Sequence, residues 1–405
     1  MTATQTNLAL QGGKPVVDRS RWPTWPPRLP GLSDAVRQVI QEDQWGVRSS
    51  TIEAFEGAFA RTHDAEYGLA MANGTMALLA ALKATGIGPG DEVIIPAYTF
   101  VATATAVLQA GAQPVFADID PQTFNLDPED VHTRITPKTK AIMPVHIGGN
   151  PADLTAFMKL ADQHDLVIIE DAAQAPGAIY NGRKVGAQGN AGGFSFQSSK
   201  NITSGEGGIL LTNDRQIYER AFEVYNCGRT VSGPWYEHVS PGLNLRISAF
   251  QAAVLLHQLD HLEEWAATRE ANGQYLEEQL DNIPGITCAR RYPATTRNAY
   301  HLLIFTYDSE AFDGLPKARF LEALSAEGVV ATEGYRPLYE MPFLRPYLHE
   351  GADQDTGLPV TEHACQNGVW IRQFELLAER SMMDGIAEAI RKVQKHAASL
   401  LETSV

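Results

Sequence analysis

The chain has 405 residues and a formal net charge of −16, with 44% apolar and 20% charged residues. The length is typical of two domains, and the composition is that of a globular protein rather than a disordered one. The strong negative charge argues against nucleic acid or an anionic membrane as the main partner, because phosphates would be repelled.

Three further features bear on location and metal content. The chain starts without a basic stretch followed by a long apolar run, and no apolar segment is long enough to span a bilayer. The cysteine count is odd and no CxxC pair occurs, which disfavours a disulfide framework or a zinc cluster. We therefore expect a soluble, cytoplasmic protein without a metal site or a membrane partner.

In chain order, residues 1–30 are polar and then rich in Trp and Pro, and we interpret them as an arm lying on the body or on a partner subunit. Helices are predicted over about 33–44, with Ser33 as N-cap, and over 51–61. From Tyr67 onwards, short apolar runs alternate with helical segments. The predicted strands are 67–71, 92–95, 114–117, 141–144 and 166–170, and the predicted helices are 75–84, 101–109, 128–134 and 152–164.

This alternation of fully apolar strands with helices predicts an α/β domain with a mainly parallel sheet covered on both faces. Ligands of such sheets lie beyond the carboxyl ends of the strands. Strands at 193–196 and 208–211 and a helix over 214–224 extend this domain. A long helix from Ser248 to about Leu280 is expected to bridge two domains.

The last third of the chain has a different pattern and predicts a smaller C-terminal α/β domain. It contains a predicted strand at 300–307 and predicted helices at 316–327 and 382–401. The predicted organisation is an arm over 1–30, a large ligand-binding domain over 31–265 and a small domain over 266–405.

Lys200 is the one lysine of a stretch, residues 192–208, that is otherwise rich in hydroxyls, aromatics and glycines. Burial of its amine would lower the pKa, and a neutral lysine amine attacks carbonyls and forms Schiff bases. We interpret Lys200 as the residue that holds an aldehyde cofactor. The alternative is a surface lysine in a polar loop.

Further candidates lie at predicted strand ends of the same sheet. Asn73-Gly74-Thr75 opens a helix directly after a strand and suits a phosphate, although a plain N-cap turn is the alternative. Asp171 follows a buried strand, where a protonated pyridine nitrogen is a suitable partner, or it caps the next turn. Phe100 can stack on a flat cofactor or belong to the core.

Two more side chains complete this set. Gln174 lies three residues after Asp171 and can hydrogen-bond the same ring, and Ser195 lies five residues before Lys200 and can reach the same phosphate. Together the candidates supply a phosphate cradle, a stacking ring, a pyridine partner and a Schiff-base lysine. These are the parts that a pyridoxal 5'-phosphate (PLP) enzyme requires.

Several stretches in order resemble the sugar aminotransferase family, the StrS/DegT-like branch of fold-type I PLP enzymes. The resemblance covers roughly residues 30–400 and is densest from 70 to 260. Its motifs are Asn73-Gly74-Thr75, residues 86–96, 115–120, 136–142 and 144–146, Ile169-Glu170-Asp171-Ala172-Ala173-Gln174 and the Lys200 stretch ending in Gly205-Glu206-Gly207-Gly208.

The resemblance implies a role for each candidate. Lys200 would form the Schiff base and carry the proton, and Asp171 would pair with the pyridine nitrogen. The other implied cofactor contacts are Gly74, Thr75 and Ser195 on the phosphate, Phe100 and Gln174 on the ring, and Asn244 on the phosphate of the neighbouring subunit. A homodimer with its active site at the interface follows from the last of these.

The resemblance also implies the reaction. Some family members carry histidine in place of the lysine and are dehydratases, so Lys200 favours transamination from L-glutamine or L-glutamate to a keto-sugar or keto-cyclitol. Residues 196–200 and 226–229 are most similar to the subgroup of scyllo-inosose aminotransferases and aminohydroxybenzoate synthases. A PLP lyase or dehydratase and a non-catalytic regulator on the same fold are the alternatives.

Weaker candidates and one departure from the family pattern remain. His146 could line the cleft or be a packed histidine, Arg229 could bind a donor carboxylate, and Tyr335-Arg336-Pro337 could approach the acceptor. The segment 45–50 lacks the Gly-Gly pair usual in the family, and this loop often borders the acceptor sugar.

Overall fold

The computed structural model describes residues 7–47, 49–347 and 357–401. Residues 1–6 of the predicted arm, Arg48 of the segment that lacks the family's Gly-Gly pair, and residues 348–356 and 402–405 of the predicted small domain lie outside the described residues.

Helices and strands alternate from Tyr67 to Asp171, as the sequence predicts. The strands are β1 (Tyr67–Met71), β2 (Glu92–Pro96), β3 (Gln113–Ala117), β4 (Thr139–Ile142), β5 (Val167–Asp171), β6 (Ile179–Tyr180), β7 (Arg183–Lys184), β8 (Ala191–Ser195), β9 (Gly208–Thr212), β10 (Ile286–Cys288), β11 (Thr295–Arg297), β12 (Leu302–Tyr307), β13 (Thr332–Glu333) and β14 (Gly368–Arg372). The helices are α1 (Leu32–Glu42), α2 (Ser50–Thr62), α3 (Gly74–Ala84), α4 (Ala102–Ala110), α5 (Pro128–Arg134), α6 (Leu154–His164), α7 (Arg215–Tyr225), α8 (Ala249–Leu259), α9 (Leu262–Leu280), α10 (Lys317–Ala326), α11 (Pro359–Asn367), α12 (Arg380–Lys395) and α13 (Ala397–Leu401).

The main sheet has seven strands in the order β1-β9-β8-β5-β4-β2-β3. β9 runs antiparallel to both of its neighbours, and the pairs from β8 to β3 are parallel. Side chains of adjacent residues in one strand lie on opposite faces of the sheet. Ile94 packs in one core with Phe157 of α6, and Ile95 packs in another with Leu78 of α3. Burial on both faces is what the unbroken apolar strands predict.

The C-terminal part has its own antiparallel sheet, in the order β10-β12-β14-β13. Phe305 of β12 lies in one core with Ile386 and Ile390 of α12. A small third sheet joins β6 and β7, which follow β5 in the chain, to β11, which lies between β10 and β12 in the chain. Within the described residues, no helix combines the length and the apolar character needed to cross a bilayer.

Three predicted elements differ from the structure. The long helix from Ser248 is wrong: it ends at Leu259, and α9 begins at Leu262 after a tight turn in which the His261 N–H donates to the Gln258 carbonyl at 3.0 Å. Leu262 packs in the core of the main sheet, whereas Leu276 packs in the C-terminal core, so the break serves tertiary packing. No Gly or Pro marks it.

The other two differences are local. Ser33 is not an N-cap, because α1 begins one residue earlier and Gly31 occupies the cap position in a left-handed conformation. The predicted terminal helix is divided into α12 and α13 at His396.

Candidate active site

A cavity of about 940 Å³ lies at the carboxyl ends of the parallel strands, between the main sheet and the C-terminal part. It is lined by the start of α3, the turn after β2, the end of β5, the loop between β8 and β9, the end of β14 and the N-terminal arm. The predicted residues that line it are Gly74, Thr75, Phe100, Asp171, Gln174, Ser195, Lys200 and Tyr335.

Lys200 lies on the loop that connects β8 to β9, which we call the lysine loop (residues 196–207). Gln258 fixes the loop from α8, accepting from the Thr203 N–H at 2.9 Å and donating to the Thr203 carbonyl at 2.6 Å. Asn201 donates to the Ala299 carbonyl at 2.7 Å. Desolvation in the cavity lowers the pKa of Lys200 to about 8, and the charge of Asp171 opposes this shift. A neutral amine is therefore accessible near physiological pH.

Asp171 is the last residue of β5 and is 5% exposed. Thr103 Oγ1 donates to Oδ2 at 2.8 Å, and the Ala173 N–H donates to Oδ1 at 3.2 Å. Burial raises the pKa of Asp171, while these hydrogen bonds and the charges of Lys200 and His146 lower it. Among the ion pairs within the described residues, none satisfies this carboxylate. A buried carboxylate that faces the cavity is suited to a cationic ring nitrogen.

The start of α3 approaches β8 very closely. Asn73 caps the helix by accepting from the Met76 N–H at 3.0 Å. A Cβ atom at Gly74 would lie 2.8 Å from Cβ of Ser195 and 3.2 Å from the Phe194 carbonyl oxygen, so a side chain there would push the helix away from the strand. Glycine thus brings Thr75 and Ser195 to one wall of the cavity, at a helix N-terminus that favours an anion.

Phe100 and Gln174 occupy different environments. Phe100 is 55% exposed and lines the cavity, so the alternative of a core aromatic is wrong. Gln174 is buried, accepts from the Gly148 N–H at 2.7 Å and donates to the Tyr335 hydroxyl at 3.0 Å. This pair joins the main sheet to the C-terminal part across the cavity.

The remaining candidates do not line this cavity. Asn244 is exposed and pairs through its backbone with Asn226. His146 is fully buried, with Nε2 3.0 Å from Glu170 and Nδ1 accepting from the Ala152 N–H, which is the packed alternative. Arg229 lies over the Trp235 ring at 4.4 Å, and Arg336 lines a separate pocket.

Several cavity residues were missed in the sequence. They are Trp25, Glu206, His301, Trp370, Arg372 and Phe374. Trp25 lies in the Trp- and Pro-rich segment that the sequence does display, whereas His301 and Arg372 come from C-terminal strands whose placement depends on tertiary packing. Burial and the charges of Lys200 and Arg269 lower the pKa of His301, which keeps this ring neutral.

These residues fit PLP. An anion-binding helix start lies at one wall, and a buried carboxylate and a lysine with a lowered pKa line the same cavity. The close approach at Gly74 leaves a cradle that a Cβ atom would disrupt. Phosphate, pyridine nitrogen and aldehyde are the three groups of PLP that such a set complements.

Comparisons with known proteins identify the family. A model described as the DegT/DnrJ/EryC1/StrS aminotransferase family matches residues 31–391. A protein of Streptoalloteichus tenebrarius, named putative L-glutamine:3-amino-2,3-dideoxy-scyllo-inosose aminotransferase, is 38% identical over 98% of this chain and 99% of its own length. L-glutamine:2-deoxy-scyllo-inosose aminotransferase of Streptomyces kanamyceticus is 37% identical over 99% and 100%, respectively.

A solved structure agrees with this assignment. The crystal structure of 3-amino-5-hydroxybenzoic acid synthase has a TM-score of 0.84 and 33% identity, covering 92% of this chain and 98% of that one. The predicted fold class and family resemblance are confirmed.

Proposed function

The chain belongs to the DegT/DnrJ/EryC1/StrS aminotransferase family, and we propose that it transfers the amino group of L-glutamine to a keto-cyclitol. It is a PLP-dependent aminotransferase of fold type I. The observation that carries the proposed site is that Lys200, Asp171 and the start of α3 line one cavity. The lyase and regulator alternatives find no support among the relatives compared.

The nature of the cavity supports a small, uncharged acceptor. Among the described residues that line it, the lysine and arginine residues are Lys200 and Arg372, and the others are mostly aromatic or carry hydroxyl or amide groups. A nucleotide sugar would bring a diphosphate that calls for further cations. A polyhydroxylated cyclohexanone needs only hydrogen bonds and apolar contact.

When bound, PLP supplies an electron-withdrawing ring that stabilises negative charge on the neighbouring substrate carbon. Gly74, Thr75 and Ser195 would hold the phosphate, Phe100 would lie against the ring, and Gln174 would contact the ring hydroxyl. The Asp171 carboxylate, which Thr103 orients, would keep the pyridine nitrogen protonated. Lys200 Nζ would act first as a base and then as an acid in each half-reaction, taking up the proton of the donor Cα in the first.

Replacement of Lys200 by alanine tests this role. We expect Lys200→Ala to reduce 2-oxo acid formation by at least about a thousandfold, since one group performs both the covalent and the proton-transfer steps. The far-ultraviolet circular dichroism should be unchanged. Lys138→Ala, which removes an exposed lysine outside the cavity, is the matched control. Turnover within tenfold of wild type in the Lys200 variant would refute the assignment.

A panel of acceptors tests the substrate class. L-Glutamine first converts the enzyme to the form that carries the aminated cofactor. Scyllo-inosose, 2-deoxy-scyllo-inosose and a 4-keto nucleotide sugar are then added to separate samples. We expect the visible absorbance of the PLP form to return after either cyclitol is added. Return with the nucleotide sugar alone would contradict the proposed acceptor while leaving aminotransfer intact.

We also propose a homodimer in which Asn244 reaches the neighbouring active site. Its support is that Asn244 is exposed and outside the cavity of its own chain, and that the chain segment before it also exposes Trp235, Tyr236 and Val239. Mixing Lys200→Ala with Asn244→Ala should restore about a quarter of wild-type activity, because half of the random dimers would contain one intact site of two. No restoration would contradict a shared site.

Two further proposals concern location and organisation. The three cysteines are all free thiols, which supports a cytoplasmic location, and cell fractionation tests it. The domain limits at 30/31 and 265/266 stay predictions. The second limit falls within the first turn of α9.

A further inference from the structure

We propose that Trp25 of the N-terminal arm is a specificity-determining residue, whose indole stacks on the C–H face of the six-membered acceptor ring. This inference rests on the proposed function, since it concerns the acceptor of that reaction. The acceptor class is a polyhydroxylated cyclohexanone.

The arm reaches the cavity after docking on the C-terminal part of its own chain. Val17 is buried in the C-terminal core, and its N–H donates to the Glu327 carbonyl at 2.9 Å. Trp22 Nε1 donates to the Gly328 carbonyl at 3.0 Å. The arm is therefore fixed on one side of the cavity before it crosses to the other.

At the far side, the arm contacts the lysine loop. Trp25 lines the cavity, and its Nε1 donates to the Ser198 carbonyl at 3.0 Å, two residues before Lys200. The indole therefore lies beside the loop that carries Lys200. The directional hydrogen bond from Nε1 fixes one edge of the indole ring.

The body of the protein holds the rest of the ring. Trp265 meets it edge-on, with 5.7 Å between ring centroids and an interplanar angle of 72°. The guanidinium of the fully buried Arg269 lies over the ring, 5.5 Å from its centroid, and donates to the Asn201 carbonyl at 3.3 Å. Arg269 thus covers one indole face from inside the protein, which leaves the opposite face for a ligand in the cavity that Trp25 lines.

An immobilised indole face is well suited to a cyclitol. Axial C–H groups of a polyhydroxylated ring are apolar and slightly positive, and the face of an aromatic ring is apolar and slightly negative. The surface is already ordered in the protein, so the ligand does not have to immobilise it. Phe100, an exposed aromatic that also lines the cavity, is assigned to the cofactor ring.

The test separates the two half-reactions. In Trp25→Ala, we expect the rate of the half-reaction with L-glutamine to stay within about twofold of the wild-type rate. We expect KM for the cyclitol to rise at least about tenfold. Trp25→Phe, which keeps an aromatic face, should recover part of that loss. Thr24→Ala, which changes an exposed arm residue outside the cavity, should leave both half-reactions unchanged.

A binding measurement supplies a readout that does not depend on turnover. Calorimetric titration with myo-inositol, a polyhydroxylated ring without a keto group, should show at least about tenfold weaker binding to Trp25→Ala than to wild type. Equal binding would overturn the proposal. So would a donor half-reaction slowed as much as the acceptor half-reaction, because Trp25 would then act only through Ser198 and the lysine loop.

The outcomes also distinguish this inference from the proposed function. Failure of wild-type enzyme to aminate any cyclitol would refute the proposed acceptor. Normal amination of a cyclitol by both wild type and Trp25→Ala would refute only the role of Trp25 and would leave the proposed acceptor intact.

Discussion

The lowered pKa of Lys200 makes a quantitative prediction for the capture of PLP by the cofactor-free protein. Schiff-base formation needs the neutral amine, and with a pKa of about 8 its fraction rises from roughly 1% at pH 6 to roughly 50% at pH 8. An ordinary lysine with a pKa near 10.4 would be only about 0.4% neutral at pH 8. We therefore expect capture to accelerate about fiftyfold between pH 6 and 8 and then to level off.

Stopped-flow absorbance after mixing with PLP measures the capture rate. The Lys200→Ala protein supplies the blank for other lysines, and Nα-acetyl-lysine supplies the slope that arises from ionisation of PLP itself. A rate that continues to rise tenfold per pH unit above pH 9 would refute the lowered pKa, because that is the behaviour of a solvated lysine.

The sign of the Asp171 effect provides a second check on the same assay. Its negative charge favours the charged amine and so raises the pKa of Lys200. Asp171→Asn should therefore move the midpoint of capture below pH 8. A midpoint that moves upwards would mean that the two side chains are not electrostatically coupled as their shared cavity implies.

Two further predictions concern the positioning of cofactor-binding groups. Thr103→Val removes the hydroxyl that donates to Asp171 and should lower turnover roughly tenfold, with recovery in Thr103→Ser; an unchanged rate for the valine variant would contradict the orienting role. Gly74→Ala would crowd Ser195 and should weaken PLP retention at least about tenfold in equilibrium dialysis, whereas Gly46→Ala, where a Cβ meets nothing within 4 Å, should retain PLP as wild type does.

The features that were predictable from the sequence are those in which local pattern and tertiary role coincide. β1 was predicted to its exact limits because a short apolar run between turn residues admits few other structures. Asp171 was predicted at the cavity because the ends of parallel strands meet at one sheet edge. For Phe100 the sequence admits two interpretations, since an aromatic residue carries no local signal that shows whether it faces a cavity or the core.

The features that were missed depend on packing between distant segments. The break between α8 and α9 falls at Asp260 and His261, where no Gly or Pro marks it, and the change from one core to the other explains it. Trp25 and Arg372 reach the cavity from opposite ends of the chain, through an arm and a C-terminal strand. No spacing in the sequence relates either of them to Lys200.

The anchoring of the lysine loop affects how the site can open. Its hydrogen-bond partners outside the loop come from α8, from α9, from the segment before β12, from the residue after β14 and from the arm. They include Gln258, Arg269, Ala299, Gln373 and Trp25. A loop held by a single neighbour would open locally at small cost, as surface connections commonly do. Here, release requires several elements of both sheets to separate together, so opening around Lys200 is coupled to the cooperative unfolding of the chain.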